Sequence, residues 1–217
     1  MIYYFPHIPK AGGTTLRKIF YNAFGPERCL KIWNGFNSDC DAESFALFDK
    51  FNEFDCIVGH LSLPSFLLNK YAAEMLKQGE VKVITSIREP MERLISQYNY
   101  TKLNKKHPHY HRIQNVEIEQ YLLNQPCNQQ STFLAIDNVN VVGNISVCNV
   151  ENSIPFFANY LSKIVGRDVS TNVVPTNLTR DLDPSASLYD VEDISEDVKL
   201  QFKANHSLDY QLYERLK

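Results

Sequence analysis

The segment "HIPKAGGTTL" (residues 7–16) sets a lysine before two glycines and two threonines, directly after the short β-prone run Ile2 to Phe5. Gly12 and Gly13 allow consecutive backbone N–H groups to converge on one point, while Thr14 and Thr15 add hydroxyl donors. A helix starting here adds the positive end of its dipole. Such a cradle suits a phosphate. A plain strand-to-helix turn would account for the glycines, but not for Lys10 and the paired threonines.

The order of these residues narrows the chemistry. A P-loop for ATP reads G-x-x-x-x-G-K-[ST], with the lysine after the glycines and a hydroxyl on Mg²⁺. Here Lys10 comes first. Enzymes of that kind also place a carboxylate at a strand end to hold the metal, whereas the runs "FDCIVGH" and "VKVITSI" lead into His60 and Arg88. Metal-free transfer of an anionic group is favoured, with a nucleotide kinase or hydrolase using Mg-ATP as the rival.

Arg88 leaves one strand end, and Ser96 lies about 9 Å further along the following helix at 1.5 Å per residue. Each alone reads as ordinary surface polarity; together, beside the Lys10 loop, they form a candidate second phosphate site. His60 is the candidate general base, since imidazole titrating near neutrality can take a proton from a hydroxyl; a core histidine satisfied by hydrogen bonds is the alternative. His107, His109 and His111 alternate as metal ligands sometimes do, but among lysines they fit an exposed basic loop better. With Lys102, Lys105 and Lys106 they are expected to border the cleft and to favour an acidic ligand. His7 and Trp33 read as structural.

Several elements must position these groups. Leu16, Ile19, Phe20, Ala23 and Phe24 repeat at helical spacing until Gly25-Pro26. "CLKIW" (Cys29 to Trp33) and "FDCIVGH" (Phe54 to His60) read as strands, Ala42 to Phe51 and Leu63 to Gln78 as helices, and Val81 to Ile87 as the strongest strand. Pro90 opens a helix whose stripe Met91, Leu94, Ile95 and Tyr98 faces inward, leaving Glu89, Arg93 and Ser96 off the buried line. The second half reads as mostly helical, with a helix over Glu151 to Val165 and a C-terminal one carrying Leu208, Leu212 and Leu216. Strands alternating with helices imply an α/β fold with a parallel sheet flanked by helices and ligands at the carboxyl ends of the strands.

Two separated phosphates and a lysine near a leaving group point to 3′-phosphoadenosine 5′-phosphosulfate. "HIPKAGGTTL" resembles the 5′-phosphosulfate loop of sulfotransferases, and "SIREPMERLISQYNY" resembles their 3′-phosphate segment, with arginine and serine eight positions apart. The sequence is most similar to the heparan sulfate 2-O- and 6-O-sulfotransferases and their bacterial relatives; "VPTNLTRD" and "SLDYQLYERL" resemble late segments of that family. The resemblance implies a nucleotide-kinase-like fold working without a metal. It further implies Lys10 at the bridging oxygen and sulfuryl group, Ala11, Gly12, Gly13, Thr14 and Thr15 around the 5′-phosphate, and Arg88 and Ser96 on the 3′-phosphate. "GHLSLPSF" resembles the stretch where the heparan enzymes carry their catalytic histidine, and the resemblance supports His60 as the candidate base. The acceptor expected is a saccharide hydroxyl; small alcohols, lipids or tyrosines are alternatives, and so is a non-catalytic nucleotide-binding protein.

The 217 residues suit one domain over 1–217, and 44% hydrophobic with 22% charged residues is the composition of a globular chain. A net charge of −3, with both signs interspersed, argues against a nucleic-acid surface. Five scattered cysteines fit reduced thiols in a cytosol. No apolar run approaches a membrane span. A cytoplasmic bacterial enzyme is the expectation, with the catalytic part of a lumenal Golgi-type enzyme as the alternative; the four N-x-[ST] sequons at Asn99, Asn144, Asn177 and Asn205 would matter only there. Oligomeric state does not follow from the sequence.

Overall fold

The computed structural model describes residues 1–32, 50, 53–135, 145–173 and 179–216. The helix expected over Ala42 to Phe51, Trp33, and most of "VPTNLTRD" lie outside the described residues.

Strand β1 (Ile2–Pro6) alternates its side chains between the two faces of a sheet and leads into helix α1 (Gly13–Phe24). Strands β2 (Cys29–Ile32) and β3 (Cys56–Gly59) follow, the first one residue shorter than "CLKIW" because Trp33 is not described. The stretch expected as one helix from Leu63 to Gln78 is two, α2 (Leu63–Leu67) and α3 (Lys70–Lys77). Asn69 makes the break: its Oδ1 accepts from the N–H groups of Tyr71 and Ala72, a cap that starts a new helix. Strand β4 (Val81–Ile87) is where the β-branched content puts it, and helix α4 (Pro90–Leu103) has proline in its first turn.

Short helices α5 (Tyr110–Ile113), α6 (Ile118–Leu123) and α7 (Gln129–Phe133) come next, then a strand that sequence reading passed over, β5 (Ile145–Asn149). Helix α8 (Ser153–Val165) ends at Gly166, and α9 (Glu196–Asn205) and α10 (Ser207–Glu214) close the chain. The stripe expected of Leu208, Leu212 and Leu216 is rotated: Asp209 and Tyr213 are buried, while Leu208 is 46% exposed.

The strands are ordered β2-β3-β1-β4-β5, all parallel, with Phe5 level with Val58 and Tyr4 level with Val83. Tyr4, Ile57 and Val83 face α2 and α3; Phe5, Val58 and Ile84 face α1 and α8. A third apolar cluster joins α4 to α6 and α9 through Tyr98, Leu122 and Phe202. The crossover from β3 to β4 passes over β1, so the loop after β1 is flanked by the carboxyl ends of both neighbours. This is the place where parallel sheets bind ligands.

Candidate active site

The loop from His7 to Gly12 is tied down on both sides. Thr85 Oγ1 donates to the carbonyl of Pro6 at 2.8 Å, Ser86 Oγ donates to the carbonyl of Ala11 at 2.5 Å, and His7 N–H donates to the carbonyl of Gly59 at 2.6 Å. Lys10 and Gly12 both have positive φ, 65° and 77°. Gly12 carries that conformation freely; in Lys10 it is uncommon and costs energy held in place by the surrounding bonds. Gly12 then caps α1, its carbonyl accepting from the N–H groups of Thr15 and Leu16.

Gly13 serves a different need, since a Cβ built there would lie 1.8 Å from the His7 ring. His7 is buried, stacked on Phe5 and set 4.3 Å, centroid to centroid, from the ring of His60. Sequence reading took His7 as structural; it is also a wall of the site, packed on the candidate base. Burial, then the neighbouring His60, Arg17 and Lys10, hold its imidazole down at about 3. His60 is lowered to about 4 by burial and by Arg17. The near-neutral imidazole expected from the sequence is therefore a neutral, weakly basic one.

Lys10 Nζ sits 4.2 Å from the centre of the Tyr100 ring. Its pKa falls to about 8 through burial and the repulsion of Arg88. Arg88 pairs with Glu92 at 3.2 Å, one turn along α4, where both side chains are partly exposed. Such an i,i+4 pair is worth only about 0.3–0.5 kcal/mol, so the guanidinium is readily given up to a stronger anion.

The main chain of Arg88 is fixed far more firmly. Its N–H donates to Gln130 Oε1 at 3.0 Å, and Gln130 Nε2 donates back to its carbonyl at 2.8 Å. Gln130 N–H, Ser131 N–H and Ser131 Oγ in turn donate to the buried carboxylate of Asp209 on α10. A carboxylate near the C-terminus thus anchors the helix whose glutamine clamps the end of β4.

Lys10, Gly12, Gly13, Thr14, Thr15, His60, Arg88 and Ser96 all line one cavity of about 1280 Å³. Ala11 does not: its side chain is 1% exposed and packs with Ile8, Ile87 and Phe133. Of the expected acceptor border, His107 and His109 line the cavity. Lys102 is turned aside, donating to the Tyr98 hydroxyl at 2.7 Å, and Lys105 and Lys106 are exposed. Arg93, expected off the buried line, is 3% exposed and on the cavity wall. Tyr100 shares its helix face, a signal the sequence did carry at i+7. Gln130 and Asp209 have no local signal, lying 42 and 121 positions (209 − 88) from Arg88.

Among the described residues no helix is long and apolar enough to cross a membrane. The solved structure of mouse sulfotransferase SULT7A1 complexed with PAP is 13% identical and superposes with a TM-score of 0.52, over 96% of this chain and 83% of that one. At that identity the likeness is one of fold. No curated protein matches the sequence. The model of the sulfotransferase family matches residues 3–140, a span of more than half the chain that contains Lys10, His60, Arg88 and Ser96. By that match, the chain belongs to the sulfotransferase family.

Proposed function

We propose that residues 1–217 act as one sulfotransferase domain that moves a sulfuryl group from 3′-phosphoadenosine 5′-phosphosulfate to a saccharide hydroxyl, leaving 3′-phosphoadenosine 5′-phosphate (PAP). One observation carries this reading: the lysine-glycine-threonine loop, the Arg88–Ser96 pair and His60, drawn from three strand ends, share a single cavity. The residues fit the donor, since a lysine, two arginines and a helix N-terminus surround space large enough for a nucleotide with two phosphate positions.

When bound, the donor supplies an activated sulfuryl group on a phosphate leaving group. Lys10 holds positive charge at the oxygen where negative charge grows, helped by the N–H groups at the start of α1. Gly12, Gly13, Thr14 and Thr15 orient the 5′-phosphate, and Arg88 and Ser96 fix the 3′-phosphate. His60 takes the proton of the acceptor hydroxyl; anionic groups in the cavity raise its pKa above about 4, where burial and Arg17 hold it, and make it a better base. Tyr100, His107 and His109 form the wall beyond Lys10 and are assigned to the acceptor side. An acidic saccharide is the acceptor class proposed for this side, and replacing His107 and His109 by glutamate is expected to raise acceptor KM.

Calorimetric binding of PAP against 5′-AMP and ATP with Mg²⁺ tests the reading. Preference for the 3′-phosphorylated ligand supports it. Preference for ATP with Mg²⁺ makes a kinase primary, and no binding to any ligand makes the chain a non-catalytic relative.

A further inference from the structure

Arg93 is the buried charge that the assigned chemistry leaves unused. Its side chain is 3% exposed on α4, yet it lines the same cavity as Arg88 and Ser96, three residues before the latter and therefore on the same helix face. Its Nη2 donates to Gln129 Oε1, a neutral amide, at 2.8 Å. Its Nε is buried and has no hydrogen-bond partner among the described residues.

A guanidinium with an orphaned N–H in low-dielectric surroundings is costly, and natural sites keep one where an anion completes it. Burial lowers the pKa of Arg93, with Asp209 and Tyr121 the neighbours that pull it back up. Asp209 is already engaged by three donors from Gln130 and Ser131. Arg88, on the other side, shares its charge with Glu92. A phosphate monoester carries close to two negative charges at neutral pH, which one arginine already paired with a carboxylate does not balance.

We propose that Arg93 is a second arginine ligand of the donor's 3′-phosphate, with Nε–H as its free donor, and that it sets the preference for 3′-phosphorylated nucleotides. The proposal rests on the donor assignment above. It differs from a purely structural role, in which Arg93 would only hold α7 through Gln129 and the field of Asp209.

The test is calorimetric titration of wild type, Arg93→Lys and Arg93→Met with PAP and with 5′-AMP, each variant first checked by thermal unfolding. Lysine keeps the charge but loses the planar fork; methionine keeps the volume, so one variant remains informative if the other fails to fold. The expected result is an affinity for PAP reduced about 10- to 100-fold in Arg93→Met, with 5′-AMP changed less than about threefold and Arg93→Lys between the two. Equal weakening of both ligands, or no weakening of either, overturns the proposal and leaves Arg93 structural. If wild type itself does not prefer PAP over 5′-AMP, the donor assignment fails first and this inference with it.

Discussion

Replacing Gly13 by alanine puts the packing of the loop after β1 to a direct test. The added Cβ would lie 1.8 Å from His7 Cδ2, 2.1 Å from Nε2 and 2.4 Å from Cγ. Ordinary carbon contacts are about 3.5–4.0 Å, so the imidazole would have to retreat by nearly 2 Å. It has little room to do so, being stacked on Phe5 on one side and set 4.3 Å from His60 on the other. Overpacking of this kind costs about 1–3 kcal/mol, partly offset by the roughly 1 kcal/mol by which alanine exceeds glycine inside a helix. With about 2 kcal/mol left at the upper end of that cost after the offset, the melting temperature of a chain of this size should fall by about 4–8 °C. The informative assay is a double-mutant cycle with His7→Ala, followed by thermal or denaturant unfolding. In the His7→Ala background the new methyl enters space the ring has left, so Gly13→Ala becomes neutral or stabilising. The coupling between the two sites should then be about 2 kcal/mol or more, and activity lost by Gly13→Ala should exceed its stability loss because His60 moves with His7. Effects that add to within about 0.5 kcal/mol would show that His7 and Gly13 do not press on each other, and would refute the packing argument.

Lys10→Ala and His60→Ala are each expected to lower kcat by about 10² or more, measured with a sulfate donor and a glycan acceptor at saturation; near-native turnover in either would remove that residue from its role. Because Lys10 titrates at about 8 in the free protein and a bound anion favours its charged form, PAP binding at pH 8.5 should take up protons, seen as a dependence of calorimetric heat on buffer ionisation enthalpy. Proton release would contradict the assignment. The folded-state pKa values of His7 and His60, about 3 and about 4, lie below the unfolded value near 6.5. The unfolded chain therefore binds more protons in the interval between, so stability from these two groups is complete above pH 6.5 and is lost progressively as pH falls toward 3. His7→Asn should flatten that slope in unfolding curves taken from pH 7 to 4. Gln130→Leu strips the Arg88 main chain of a donor and an acceptor partner, and a loss of about 2–4 kcal/mol in denaturant unfolding is expected, with little change if the clamp is not made in solution.

Much of the scaffold was legible because it is written in local periodicity. The run "VKVITSI" folds as β4 with its predicted ends, and Pro90 opens α4 over the expected stripe of Met91, Leu94, Ile95 and Tyr98, all buried. Other features were misread for identifiable reasons. Asn69 split one expected helix in two because its side chain outbids the helix for the next N–H groups. Strand β5 is five residues long and pairs with β4, 62 positions earlier in the Val83–Ile145 register, so no hairpin or turn signal announces it. Leu208 is exposed while Asp209 is buried, a reversal of hydropathy that holds only because three donors from α7 meet the carboxylate.

By itself the sequence determined the lysine-glycine-threonine run after the first strand, the arginine and serine eight positions apart, and the alternation of strands with helices, because each is set by neighbours a few residues away. It set Lys10, His60 and Arg88 at or just after strand ends, and Ser96 on the helix that follows, without fixing which strands are neighbours. Only the tertiary structure decided that β1 lies between β3 and β4, and hence that three strand ends open on one cavity. The same structure buried Arg93 against that cavity, laid His7 over Gly13, and brought Gln130 and Asp209 to the end of β4. The physical reason is that crossover connections fix which strands are neighbours. Hydrogen bonds across such neighbours join residues whose separation along the chain carries no period to read.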